Sequence, residues 1–98
     1  MVISEDIYAM LLVEPFFKTF APNKHIVDAR ESTEVLLCLS CEDRAEVDAL
    51  VRKAVAAGGK EHGSAQDHGF MYYRAIEDLD GHVWELMWMN PEAAPPHP

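Results

Sequence analysis

Glu85 stands in the middle of an apolar run, Val83-Trp84-Glu85-Leu86-Met87-Trp88-Met89. A carboxylate among apolar neighbours needs a cation, a metal or a proton to offset its lost hydration. Read as a strand, the run places Trp84, Leu86 and Trp88 on one face and Val83, Glu85, Met87 and Met89 on the other. Upstream, Thr33-Glu34-Val35-Leu36-Leu37-Cys38-Leu39 also reads as a strand, β-branched and apolar on both faces as a central strand should be. Its alternation sets Val35, Leu37 and Leu39 against Glu34, Leu36 and Cys38. With the Trp-rich face turned to a helix, Glu34 and Glu85 share the opposite surface. Hard divalent cations accept such oxygen ligands, but two carboxylates are too few alone. Without a metal, Glu34 ends its strand in water and Glu85 binds an Arg or a backbone group.

Tyr72, Tyr73 and Arg74 lie on the strand beside the last one. One parity set of that strand lines the surface that carries Glu85, where Arg74 would grip a ligand carboxylate with both arms of its fork. Otherwise Arg74 is a surface residue paired with Glu77 or Asp78. His62 and His68 flank a loop able to rim a cleft, as ligands or acid/base groups or as plain exposed residues. His82 follows Asp80-Gly81 and serves the turn, and His97 sits in a Pro-rich tail. Cys38-Leu39-Ser40-Cys41 has redox spacing at a strand-to-helix passage. Cys38 falls inside the strand pattern and Cys41 outside it, with no Gly-Pro pair between them, which argues for two structural thiols. Phe16, Phe17 and Phe20 read as core plugs or interface anchors.

The elements that must position these residues follow from periodicity. Met1–Ser4 and Ile7–Val13 form a hairpin around Glu5-Asp6, and Glu14-Pro15 ends its second arm. Phe16–Phe20 is a short helical turn or a docked loop. Val47, Leu50, Val51, Ala54 and Val55 make one helical stripe, with Asp43 and Glu46 as its cap and Gly58-Gly59 as its stop. A short strand near Lys60–His62, a loop over Gly63–Asp67 and a strand over Phe70–Ile76 come next. Asp80-Gly81 then turns the chain into Val83–Met89. From Thr33 the order is β-α-β-β-β, preceded by two strands with no helix between them.

The chain has 98 residues, with seventeen acidic and eight basic side chains and a net charge of -9. That length suits one small α+β domain over residues 1–90 with a flexible tail over 91–98. The acidic balance speaks against nucleic acid and against anionic membranes as partners. No apolar run approaches the roughly 20 residues of a membrane helix. The first residues lack the basic and apolar regions of a secretory signal, and two cysteines that cannot staple a fold suit the cytoplasm.

Glu77-Asp78-Leu79-Asp80-Gly81-His82-Val83-Trp84-Glu85-Leu86 resembles the closing signature of the vicinal oxygen chelate superfamily. This superfamily holds glyoxalase I, extradiol dioxygenases, and fosfomycin- and bleomycin-resistance proteins. Its usual turn is Asp-Pro-Asp-Gly, and here Leu79 replaces the Pro. The β-α-β-β-β order matches its repeating module. The resemblance covers Thr33 to Asn90 well and Met1 to Phe20 loosely.

It implies a curled mixed sheet with a concave cleft, made of one full module and an N-terminal hairpin remnant of a second. Met1 is then either the true start or an internal residue of a longer reading frame. The resemblance also implies a divalent metal (Zn, Ni, Mn or Fe) held by the first and last strands of each module. By position, these ligands fall on Glu34 and Glu85, while the upstream module offers only Ala9. Glu85 becomes the metal ligand or catalytic base, and Tyr72, Tyr73, Arg74 and His68 contact substrate. The implied activity is that of a metal-dependent lyase or isomerase acting on a small polar molecule, as lactoylglutathione lyase does. The alternative is a metal-free module that binds and sequesters a small molecule. In both readings the open sheet edges predict a homodimer, completed by the partner's hairpin or by strand exchange.

Overall fold

A computed structural model describes residues 1–92 of the chain. The tail expected over 91–98 lies outside the described residues beyond Glu92, and His97 with it. The elements are α1 (Glu14–Lys18), β1 (Leu37–Ser40), α2 (Arg44–Ala56), β2 (Lys60–Asp67), β3 (Met71–Glu77) and β4 (Val83–Met89). The four strands form one open mixed sheet in the order β1-β4-β3-β2, with β1 parallel to β4 and the other pairs antiparallel. This is the α+β arrangement that the sequence predicts from Thr33 onward, with α2 covering one face.

Helix α2 begins where local chemistry dictates. The Asp43 side chain accepts a hydrogen bond from the Glu46 N–H at 2.7 Å, and the Glu46 carboxylate accepts from the Glu42 N–H at 2.7 Å. Two N–H groups with no intrahelical partner are thereby satisfied. Val47 and Val51 are fully buried, with Leu50 and Ala54 beside them, while Val55 at the end of the stripe is half exposed. They pack on Cys41, Leu39, Ile76, Trp84, Leu86 and Trp88, which places the Trp-bearing face of β4 under the helix.

Ionic contacts fasten this face at its edge. The Arg74 guanidinium meets the Asp48 carboxylate at 2.9 Å and Glu61 at 2.8 Å, and Tyr72 Oη donates to Asp48 at 2.6 Å. Arg44 lies 5.3 Å from the Tyr72 ring centroid and 5.1 Å from that of Trp88, and its guanidinium grips Asp67. The Tyr72 hydroxyl and then Arg74 hold the Asp48 carboxyl below its ordinary range. Arg74 does the same for Glu61. Asp67 is lowered to about 2 by Arg44 and the Gly69 N–H. These depressed values mean that the unfolded chain takes up protons first. The stability they contribute is therefore present above the ordinary carboxylate range near 4 and is lost as pH falls toward about 2. Urea midpoints measured between pH 6 and pH 2 should fall along this range, and a flat profile would show that the pairs contribute nothing.

Three expectations are corrected. The first strand starts at Leu37 rather than Thr33, leaving Glu34 in an exposed bend ahead of it. β1 pairs only with β4, and Leu37 stands opposite Trp84, so residues before Leu36 would need partners from the turn that precedes Val83. The N-terminal hairpin reduces to a single bridge between Val2 and Tyr8 and joins no sheet. Its turn, Ser4–Ile7, lacks the Gly or Asn that tight hairpins need, and a lone two-stranded ribbon is marginal. β2 runs through the predicted loop to Asp67, because β3 offers a continuous edge, and an irregularity between His62 and Gln66 absorbs the poor strand formers.

Candidate functional site

The turn between β3 and β4 sets the register of the site. The Asp78 carboxylate accepts from the backbone N–H of Asp80 at 2.9 Å and of His82 at 3.0 Å, and from Trp84 Nε1 at 2.9 Å. Partial burial pushes its pKa up, but hydrogen bonds from the Trp84 indole and the two N–H groups outweigh this and hold it below the ordinary value. His82 thus serves the turn through its backbone N–H. The fixed turn pairs Glu77 with Val83, Ala75 with Glu85, Tyr73 with Met87 and Met71 with Met89.

These pairs lie on the face away from α2, since their neighbours Ile76, Leu86, Trp84 and Tyr72 pack into the helix-side core. One row crosses the whole sheet: Cys38 on β1, Glu85 on β4, Ala75 on β3 and His62 on β2. The next row is Ser40, Met87, Tyr73 and Gln66. Glu85 is half-buried and, among the described residues, has no hydrogen-bond or ion-pair partner. Ala75 beside it ends at Cβ, so there is room over the carboxylate. Burial pushes the Cys38 thiol up, and the nearby Glu85 charge adds to this, which makes Cys38 a weak nucleophile. Cys41 is buried in the core and its thiol is likewise raised by burial, so the C-x-x-C spacing supplies no activated thiolate.

The predicted site residues divide by face. Tyr73 lies on the Glu85 face, and the His68 ring joins it there at 6.2 Å between centroids, tilted by 31°. Tyr72 and Arg74 point to the helix side, where both are committed to Asp48 and Arg74 also to Glu61. Arg74 pairs neither with Glu77 nor with Asp78. Sequence reasoning did not single out Ala75, Met71 or Met87. The signal was present: a turn centred on Asp80 makes each β3–β4 pair sum to one constant, as Glu77 with Val83 and Arg74 with Leu86 do. Even-numbered residues of β3 therefore share the face of Trp84, Leu86 and Trp88.

Glu34 does not reach Glu85. The parallel register sets Cys38 level with Glu85, and β1 begins only at Leu37, so Glu34 lies ahead of the paired strand, in an exposed bend. Among the described residues no group of three or more His, Cys, Asp or Glu side chains is placed to hold a metal. The described residues of this chain therefore do not fit a divalent metal by themselves. Two clefts of about 700 Å³ lie instead where the N-terminal segment meets the far end of the sheet, near Leu11, Phe17 and His82, and neither includes Glu85. No helix among the described residues is long and apolar enough to cross a membrane.

Comparison with known proteins places this geometry. A hypothetical protein from S. aureus is 33% identical, with a TM-score of 0.54 over 59% of this chain and 51% of that one. A glyoxalase-related enzyme from Fulvimarina pelagi is 23% identical, with a TM-score of 0.61 over 76% and 52%. A glyoxalase/bleomycin resistance protein/dioxygenase from Nocardioides shares the fold at 12% identity, with a TM-score of 0.63 over 86% and 56%. The chain spans about half the length of these solved structures. No curated protein matches it. The profile of the Glyoxalase/Bleomycin resistance protein/Dioxygenase superfamily covers residues 19–86, from the residue after α1 to the core residue Leu86, and includes the turn and carboxylate described above. With more than half of the chain matched, and the β-α-β-β-β sheet in place, the protein belongs to the glyoxalase/bleomycin resistance/dioxygenase superfamily.

Proposed function

We propose that this protein binds a small molecule on the open face of its sheet, with Glu85 as the anchoring group and no metal ion held by the chain's own residues. One observation carries the reading: a half-buried carboxylate in mid-sheet with no hydrogen-bond or ion-pair partner among the described residues. Such a group is retained at a cost in hydration, and a ligand that donates to it offsets that cost. Tyr73, with the neighbouring His68, forms the aromatic edge of the same surface.

The competing reading is a metal-dependent lyase or isomerase in which a second chain completes the ligand set around Glu85. It draws on the superfamily, whose members often bind divalent metals. The two are separated by equilibrating wild type and Glu85→Gln with Zn, Ni, Mn and Fe ions, desalting, and measuring bound metal. The proposed reading expects both proteins to retain equally little. One metal per site on wild type, lost in Glu85→Gln, would overturn it in favour of the lyase.

We also propose that the chain self-associates. Val2, Tyr8, Met10, Leu11, Val13 and Phe20 are each more than 60% exposed, a large apolar surface for a segment of this size. Sedimentation of the same samples tests this, and single chains at high concentration would remove it. The two free thiols suit a reducing compartment, and we place the protein in the cytoplasm.

A further inference from the structure

The open face is unusual in composition. A sheet face with no helix over it is ordinarily polar. Here, beside Glu85, β4 presents Met87 and Met89, and β3 presents Met71 and Tyr73, paired as Met71 with Met89 and Tyr73 with Met87. Methionine is not a preferred strand residue, and three thioethers on one bare sheet face find no explanation in the core, which lies on the other side. Thioether side chains are flexible and polarisable, and they make favourable contacts with aromatic rings. The Tyr73 and His68 rings border them, tilted 31° from one another.

One carboxylate sits in the middle of this surface. Glu85 adjoins Met87 along the face and, among the described residues, lacks a partner, while Glu77 stands at the strand end, opposite Lys60 in register. The face thus combines a soft apolar floor, an aromatic edge and, in mid-sheet, one carboxylate that no described residue pairs with, with His62 two strands away in the same row. From this combination we infer that the ligand is a monovalent organic cation with a flat apolar or aromatic body, its positive group over Glu85 and Ala75 and its body on Met71, Met87, Met89 and Tyr73. Charge complementarity selects the cation, and the net charge of -9 favours its approach. The inference rests on the proposal that Glu85 anchors a ligand, and adds the chemical class.

The protein's five methionines allow a direct test. Met71, Met87 and Met89 report on the open face, whereas Met1 and Met10 line a cleft at the other end and serve as internal controls. The full chain, labelled at the methionine methyls and assigned by single Met→Leu variants, is titrated by NMR with benzyltrimethylammonium, tetramethylammonium or phenylacetate. Benzyltrimethylammonium should shift the three open-face methyls saturably and leave Met1 and Met10 in place. Tetramethylammonium should bind more weakly, and phenylacetate should leave the spectrum unchanged. Glu85→Gln, checked for folding by circular dichroism, should weaken benzyltrimethylammonium about tenfold, as expected for losing one charge-assisted contact.

No saturable shift, or a shift confined to Met1 and Met10, overturns the inference. Equal binding by Glu85→Gln overturns it together with the anchoring role of Glu85. Tetramethylammonium binding as tightly as the aromatic cation, in a Glu85-dependent way, leaves the anchor standing and overturns the apolar-body assignment alone.

Discussion

Leu86→Ala should lower the unfolding free energy by about 2–5 kcal/mol, the usual loss for a buried leucine whose cavity does not collapse. Leu86 is 5% exposed and meets Cys41, Val47, Val51 and Ile76 in a core that counts few other buried side chains. A domain of this length has about 5–15 kcal/mol in total, so the variant should unfold at a much lower urea concentration or fail to fold at all. Leu79→Ala is the matched control: Leu79 is 67% exposed, and its truncation should cost under about 1 kcal/mol. Trp84 and Trp88 flank Leu86 on the same face, so their fluorescence reports the transition. Equal midpoints for Leu86→Ala and Leu79→Ala would mean that α2 does not cover this face of β4.

Gly81→Ala should cost about 2 kcal/mol or more, for two separable reasons. Gly81 has φ of +95°, a conformation that L side chains rarely adopt, and a Cβ there would lie 2.7 Å from the Arg30 nitrogen and 2.8 Å from the Ala29 carbonyl. Both neighbours are backbone and cannot swing aside. The segment around Asp28, closed by a hydrogen bond from the Arg30 N–H to the Asp28 carboxylate at 3.0 Å, would have to leave the turn. Gly63→Ala isolates the conformational part, because Gly63 has φ of +72° with nothing within 4 Å of its added Cβ. The difference between the two variants measures the clash. Trypsin cleavage after Arg30 should accelerate in Gly81→Ala and stay at the wild-type rate in Gly63→Ala. Equal rates would show that the 28–30 segment does not dock on the hairpin.

Some of this architecture is legible residue by residue. The spacing of Val47, Leu50, Val51 and Ala54 marks the buried stripe of α2, and Asp43 with Glu46 marks its start, because a helix repeats every 3.6 residues and its first N–H groups need acceptors. The alternation in Val83–Met89 sorts Trp84, Leu86 and Trp88 from Glu85, and Asp80-Gly81 marks the hairpin. These are local signals, carried within a few residues of chain.

Other expectations depended on partners distant in sequence. Thr33–Val35 is as β-prone as the residues that follow it, yet it forms no strand, because β4 has nothing to offer it before Val83. Gly63–Ala65 is β-poor and is nevertheless drawn into β2 by the edge of β3. Arg74 looked free to meet a ligand, but its partners, Asp48 and Glu61, come from α2 and β2.

The amino-acid sequence by itself determined the module order, the helix with its cap, the hairpin turn and the face on which Glu85 lies, since each follows from periodicities and turn preferences of contiguous residues. Tertiary structure alone decided what β1 and β2 bring to the row of Glu85 and which partners Arg74 takes. The pairing of β1 with β4 set Cys38 level with Glu85 and left Glu34 in a bend outside the strand, while Arg74 found Asp48 on α2 and Glu61 on β2. A one-residue change in pairing reverses every face of a strand, and pairing is set by the whole sheet rather than by any one segment.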